Sequence, residues 1–270
     1  MLQYIWDVIL GFKPYINHWN FWGTLTGFVH IYICTYFSYK DLKKHKNKIQ
    51  KDWYPSLSDI LELAIPQTLI ILSLNGLSWV HFFIYPNYRQ VLPEYAPTIY
   101  EFCWKLIFSL LFGDFLVYIE HILQHRVPFL RKNVHYVHHK YSAVFSWAGL
   151  YVHPIEIFIV IMCQLIPLWL IQAHPLIIWT HMIIWTILLD EEHSGYDEWW
   201  SPSNLITTIG GGAAPHDIHH YNPNYNFGFI CTYWDKLFNT YINVKYNDNK
   251  KVISSNPYIP PFKKNMRKNR

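Results

Sequence analysis

The chain reads as an all-α integral membrane protein: a helical bundle of about four transmembrane or re-entrant segments under a cytosolic, histidine-rich cap. Three observations predict this. Hydrophobic residues make up 51% of the 270 and charged residues only 15%, against about 25% charged in average chains. Apolar runs long enough to enter a bilayer recur along the chain, separated by short polar stretches. Half of the 16 histidines fall into three short boxes at the ends of such runs or in the polar segments between them. The 13 Trp and 21 Tyr fit this class, because such rings gather at membrane–water interfaces. The net charge of +4 comes from a few lysine clusters and does not suggest a nucleic-acid surface.

Each element follows in order. Met1 to Asn20 is an amphipathic lead-in rich in Trp and Tyr, expected along the interface; it is too short and mixed for a cleavable signal peptide. Phe21 to Phe37 is the first apolar run, interrupted by Gly23, Gly27 and His30. Lys40 to Lys51 carries Lys40, Lys43, Lys44, Lys46, Lys48 and Lys51 and is expected as a solvated loop, which the positive-inside rule places in the cytosol. Leu61 to Tyr85 is the second span, and the lysine-poor turn Pro86 to Pro97 belongs on the opposite side. Ile99 to His121 returns the chain to the cytosol and ends in the first box. Arg126, Arg131 and Lys132 follow, with Pro128 breaking the helix. Pro154 to Ile171 and Pro175 to Leu189 form a short hairpin that spans or re-enters the bilayer. Asp190 opens a polar third region, in which Gly210, Gly211 and Gly212 mark close backbone approach rather than a phosphate loop. Three units result: a membrane anchor at 1–98, a histidine-bearing domain at 99–244 and a basic tail at 245–270.

The boxes carry the chemistry. They read His121-x-x-x-His125, His135-x-x-His138-His139 and His216-x-x-His219-His220. On a helix, residues three and four apart share a face, so each box presents its imidazoles together. Neutral imidazole suits iron, zinc, copper and nickel. Eight nitrogens exceed what one four- to six-coordinate ion uses, so the count points to two metals. The zinc-protease motif HExxH and any CxxC are absent. Asp114, seven residues before His121, is expected to orient a ligand histidine. Cys34, Cys103, Cys163 and Cys231 are isolated and read as packing residues. Phe145, Trp147, Trp179 and Trp185 are candidates to line an apolar substrate pocket. A metal transporter is the alternative from another class, although transporters hold their ligands at the bilayer midplane.

The order HxxxH, HxxHH, HxxHH resembles the fatty acid hydroxylase/sterol desaturase superfamily. His193-Ser194-Gly195-Tyr196-Asp197 is similar to the HSGYD stretch of its sterol-modifying members. Trp234-Asp235-Lys236-Leu237-Phe238-Asn239-Thr240 resembles the segment after their last box, with Asn239 where those proteins carry Gly. His125 to His139 and Glu191 to Pro202 resemble a sterol-hydroxylase branch, although Pro215 stands where that branch has a further histidine. His153-Pro154-Ile155-Glu156 is closer to a branch that oxidises methyl groups on carbon 4 of the sterol ring.

The resemblance implies a membrane-embedded O2-dependent monooxygenase with two Fe ions, hydroxylating a sterol in the endoplasmic reticulum membrane with its boxes facing the cytosol. Another lipid hydroxylase of the same superfamily is the alternative. External cytochrome b5 and an NAD(P)H-dependent reductase are the implied electron donors, because no HPGG haem motif is present. It adds His193 as a ninth ligand and leaves His153 open. Asp190, Asp197 and Asp217 join Asp114 as expected partners of the ligand imidazoles. The C-terminal Arg267-Lys268-Asn269-Arg270 resembles an imperfect dilysine retrieval signal or a plain basic tail.

Overall fold

The computed structural model describes residues 1–11, 19–50, 53–84, 92–206, 208–242, 244–246 and 252–254; for 19–22, 78–84 and the last two segments the backbone alone is described. The expected turn at 86–91, Lys51 and the tail beyond 254 lie outside the described residues.

The long helices are α1 (Leu2–Gly11), α2 (Trp19–Leu42), α3 (Leu57–Ile84), α4 (Ile99–Arg126), α5 (Pro154–Leu170), α6 (Pro175–Glu192) and α7 (Ala213–Tyr221). Short helical turns join them, and an antiparallel pair, Val244–Tyr246 with Val252–Ser254, follows the domain. Among the described residues, Leu57–Leu77 of α3 and the whole of α4 are long and apolar enough to cross a membrane. The hairpin helices α5 and α6 have 17 and 18 residues, so each is roughly 26 Å long.

The bundle is built on α4, which packs against α5 and α6, while α2 packs against α6 and α3. The reason is the buried stripe of α4. Ser109, Gly113, Asp114, Val117, Tyr118, Glu120, His121, Gln124 and His125 are its buried residues. They recur every three or four positions, which is one helix face. His121 and His125 are the last turns of that stripe, so the packing that buries α4 also aims the first box inward. Polar side chains tie the helices together: Ser109 Oγ lies 2.9 Å from His181 Nδ1, and His181 Nε2 lies 3.1 Å from Gln164 Oε1. Such contacts replace the hydrophobic drive that lipid cannot supply between helices. At the opposite end, Trp6 of α1 is buried with Leu92, Leu176 and Trp179, and its Nε1 donates to Pro93 O.

The stretch at 40–51 departs from the expected solvated loop. Lys43, Lys44 and Lys46 are exposed, but Lys40 and Lys48 are buried. Lys48 Nζ lies 2.8 Å from Asp41 and donates to Val144 O and Ser194 O, while Lys40 pairs with Glu198. Tyr196 OH donates to Asp41, and Ile49 N donates to Gly195 O. The stretch is therefore a clamp on the 193–198 loop. Gly195 sits there at φ +72°, and a Cβ on it would come within 2.6 Å of Val144 O, so only glycine fits. Asn239, which replaces the resemblance's glycine, has φ +58°; asparagine is among the few other residues that visit this region readily.

Candidate metal centre

All nine sequence-predicted histidines meet at one end of the bundle, in two groups. The first holds His121, His125, His135, His139 and His219; the second holds His138, His193, His216 and His220. Within each group one ring nitrogen per residue lies within 4.8 Å of all the others.

The grouping corrects the expectation that each box presents its imidazoles as one set. Positions i and i+4 stay together: His121 with His125, His135 with His139, His216 with His220. Position i+3 goes to the other group: His138 leaves its box for the second group, and His219 leaves its box for the first. Helix geometry explains the split. At 3.6 residues per turn, i+4 lies about 40° to one side of i and i+3 about 60° to the other. An HxxHH box therefore splays its side chains toward two neighbouring points, and two such boxes facing each other cross-link both groups. The first and third boxes ride on α4 and α7. The second sits in tight turns, its His135 closing a π-helical turn and its His138 and His139 in a 3-10 turn.

The inward atoms are Nε2 in every case. In the first group His125 Nε2 lies 2.8 Å from His135, 3.0 Å from His219 and 3.2 Å from His139. In the second, His216 Nε2 is 2.9 Å from His193 and 3.0 Å from His220, and His138 is 3.2 Å from His193. Several outward nitrogens are held by carbonyls: His121 Nδ1 by Phe227 O, His219 by Tyr225 O, His220 by Tyr141 O and His193 by Leu189 O. A neutral imidazole has one N–H. When Nδ1–H donates to a carbonyl, Nε2 offers a lone pair. Lone pairs converging at about 3 Å repel each other unless a cation lies among them, so the donor set fits metal ions.

Burial pushes His193 down to about 4 and His138, His139, His216, His219 and His220 well below the ordinary imidazole range. The neighbouring imidazoles push in the same direction, since a second positive charge beside the first is unfavourable. The rings are thus held in the form that binds metal.

Two carboxylates outside the expected set lie against the clustered rings. Asp114 accepts from Ile230 N, Cys231 N and Trp234 Nε1. Asp190 pairs with His30 Nδ1 at 2.7 Å, with Cys34 beside it. Asp197 accepts from Asn204, and Asp217 from Gln50. Instead, Glu156 lies 2.8 Å from His135 Nδ1, and Glu192 lies 3.0 Å from His216 Nδ1. Both belong to segments singled out in the sequence, but which carboxylate faces a ring depends on how α5 and α6 pack. Asp114 and Asp235 act one step further out. Asp235 accepts from Phe227 N and Gly228 N, and together they shape the loop whose carbonyls hold His121 and His219. This explains the Trp234-Asp235 motif. His153 caps α5, accepting from Ile155 N, and stands apart from both groups. Gly210 and Gly211 do meet backbone: a Cβ on either would come within about 2 Å of Pro202 O or Phe229 O.

A cavity of about 470 Å³ runs from this centre between the helices; most of its exposed lining is apolar, and Glu120, Glu156 and Glu192 also line it. His121, His135, His138, His193 and His216 form one end of it. Of the four aromatic candidates only Trp185 lines it; Phe145 and Trp147 belong to one core cluster and Trp179 to another.

The fatty acid hydroxylase family matches residues 106–240, half of the chain, and that stretch contains all nine histidines. The chain is 30% identical over 252 residues to cholesterol 25-hydroxylase of Mus musculus, covering 89% of this chain and 82% of that one. The chain belongs to the fatty acid hydroxylase family. Human cholesterol 25-hydroxylase is 32% identical over 197 residues, 72% of this chain and 71% of that protein. A very-long-chain aldehyde decarbonylase of Oryza sativa subsp. indica is 32% identical over 201 residues, 72% of this chain and 74% of its own length. No solved structure matches. The family is iron-dependent, and membership makes the chain an oxidoreductase of the lipid-hydroxylating kind, acting on a lipid with O2.

Proposed function

We propose that the chain is a sterol hydroxylase of the endoplasmic reticulum membrane, acting like cholesterol 25-hydroxylase on the tertiary carbon of the sterol side chain, with the nine histidines holding two irons. The carrying observation is the apolar cavity that ends on the imidazoles. A membrane metal transporter needs a polar path to its ligands; this path suits a hydrophobic substrate.

Two irons held by the five- and four-histidine groups would activate O2, with two electrons from an external donor, as an unactivated C–H bond requires. The residues of the chain do the rest. Carbonyls hold His121, His193, His219 and His220, and Glu156 holds His135, each with Nε2 inward. Val117, Val160, Met182 and Trp185 line the cavity, keep water from the reacting carbon and leave a lipid as the favoured guest. Leu74, 63% exposed, lies at the cavity's edge on α3, so substrate enters sideways from the bilayer. Exposed Lys43, Lys44, Lys46, Arg126, Arg131 and Lys132 flank the metal end, which supports a cytosolic orientation and four membrane-embedded elements, α2, α3, α4 and the α5–α6 hairpin. Residues 1–98 then serve as anchor and 99–244 as the hydroxylase unit. Cytochrome b5 and its reductase would deliver electrons to the cytosolic face.

The test is product analysis by mass spectrometry with purified, iron-loaded protein, a reductase system and a sterol panel. Products carrying one added oxygen on the side chain are expected. Oxidation confined to the methyl groups on carbon 4 would sink the assignment.

A further inference from the structure

The two ends of the cavity differ in chemistry. Opposite the imidazole end, between α2 and α3, the lining is Gly23, Thr26, Gly27, Ile71, Leu74 and Asn75. Gly23 and Gly27 lie on one face of α2, and α3 comes in close: a Cβ on Gly27 would sit 2.7 Å from Ile71 Cγ2 and 3.5 Å from Asn75 Nδ2, and one on Gly23 would sit 3.6 Å from Asn75 Oδ1. Small residues at this spacing explain the close approach. They do not explain an amide beside an apolar cavity.

Asn75 Nδ2 donates to Ile71 O at 2.8 Å, and Oδ1 accepts from Thr24 Oγ1 at 3.1 Å. A carboxamide has two N–H donors and two acceptor lone pairs, so one of each is left for a ligand. Thr26 Oγ1 donates to Gly23 O at 2.9 Å, and its oxygen keeps acceptor capacity. This end of the cavity can therefore give one hydrogen bond and take one, and it carries no charge. That chemistry suits a hydroxyl rather than a carboxylate or an amine.

Position adds a constraint. His30 lines the cavity and pairs with Asp190, one helical turn before His193. Thr26 lies four residues before His30 on α2, roughly 6 Å along the axis, and the clustered imidazoles lie beyond His30, on the side of Asp190 and His193.

We propose that Asn75, assisted by Thr26, binds the ring hydroxyl of the sterol and so presents the opposite end of the molecule, its side chain, to the metal centre. This rests on the sterol reading and deepens it. It also separates the two branches: oxidising a methyl group on carbon 4, next to the hydroxyl-bearing carbon, would require the hydroxyl at the imidazole end.

The experiment compares kcat/KM for a 3-hydroxysterol and its 3-deoxy analogue, using iron-loaded wild type, Asn75→Leu and Thr26→Val, with metal content as the check on folding. Wild type should prefer the hydroxysterol about tenfold, the worth of one or two hydrogen bonds. Asn75→Leu should bring that ratio to about one, and Thr26→Val should lower it less. A purely structural Asn75 would slow both substrates alike and leave the ratio at wild type, overturning the proposal. Should Asn75→Leu not fold, Asn75→Ser and Thr26→Val decide it by the same ratio. A wild type that oxidises both sterols equally sinks the anchor alone. One that oxidises neither, but oxidises another lipid, sinks the sterol reading beneath it.

Discussion

The two histidine groups differ in what holds them. The first, around His125, draws on all three boxes and is built on α4, which packs against α5 and α6. Its supports are Glu156 and the carbonyls of Phe227 and Tyr225. The second takes only two boxes and completes itself with His193, which stands outside any box. His193 is held by Leu189 O and by the turn that the Lys48–Asp41 clamp secures. A Cβ on Gly149 would come 3.0 Å from the His193 ring, so the turn at 149 also backs it. The first group is assembled by helix periodicity. The second depends on a loop pinned by a distant part of the chain, so the two should fail in different ways.

Losing a ligand should break the comparison most severely. His125→Ala, which removes the nitrogen nearest the others of the first group, should lower bound iron from about two to about one per chain and abolish turnover by about a thousandfold or more. Elemental analysis beside product assay checks it; unchanged metal content would refute the grouping. His193→Ala should also remove one iron, from the second group, because three imidazoles remain there. His153→Ala should leave metal content unaltered.

The clamp comes next. Lys48→Met leaves Asp41 buried without its cation, and breaking a buried pair costs about 3–5 kcal/mol. The expected result is a lower melting temperature in detergent and preferential loss of the second metal. Equal loss from both groups would show that the clamp serves the whole fold and not one site.

Outer partners should matter less. Glu156→Gln touches the first group through His135, and Glu192→Gln the second through His216. Each should weaken metal affinity at its own group by about 10- to 100-fold, measured by chelator competition.

A separate test is the pH dependence of the metal-free protein. His135, His138, His139, His193, His216, His219 and His220 are all pushed below the ordinary value of 6.5 by burial, His193 to about 4. The unfolded chain therefore binds protons that the folded chain refuses. Stability should be full above about pH 6.5 and fall steadily as pH drops below it, since the unfolded rings protonate there and the folded rings do not. Melting curves from pH 7.5 to 4.5, run with and without metal, measure this. A metal-free protein whose stability stays flat over that range would contradict the burial of the rings.

Much of this was legible in the residues. Spacing within each box picked out eight of the nine histidines that cluster, because i and i+4 on a helix must be neighbours. His193 came from the motif around it rather than from spacing, since a lone histidine carries no periodic signal. The carboxylates were misjudged for a physical reason. Asp114 shares the face of His121, but a face says only which way a side chain points, and Asp114 meets the 230–234 segment before any ring.

By itself, then, the sequence determined the class: a helical membrane chain with eight of its 16 histidines in three boxes, because composition and short-range helix geometry act locally. Only the tertiary structure decided how those imidazoles divide, which carboxylates and carbonyls turn their lone pairs inward, and that Lys48 is an internal clamp rather than a cytosolic surface charge. Those outcomes depend on residues 20 to about 150 positions apart meeting in a packed interior, and no local pattern encodes such a meeting.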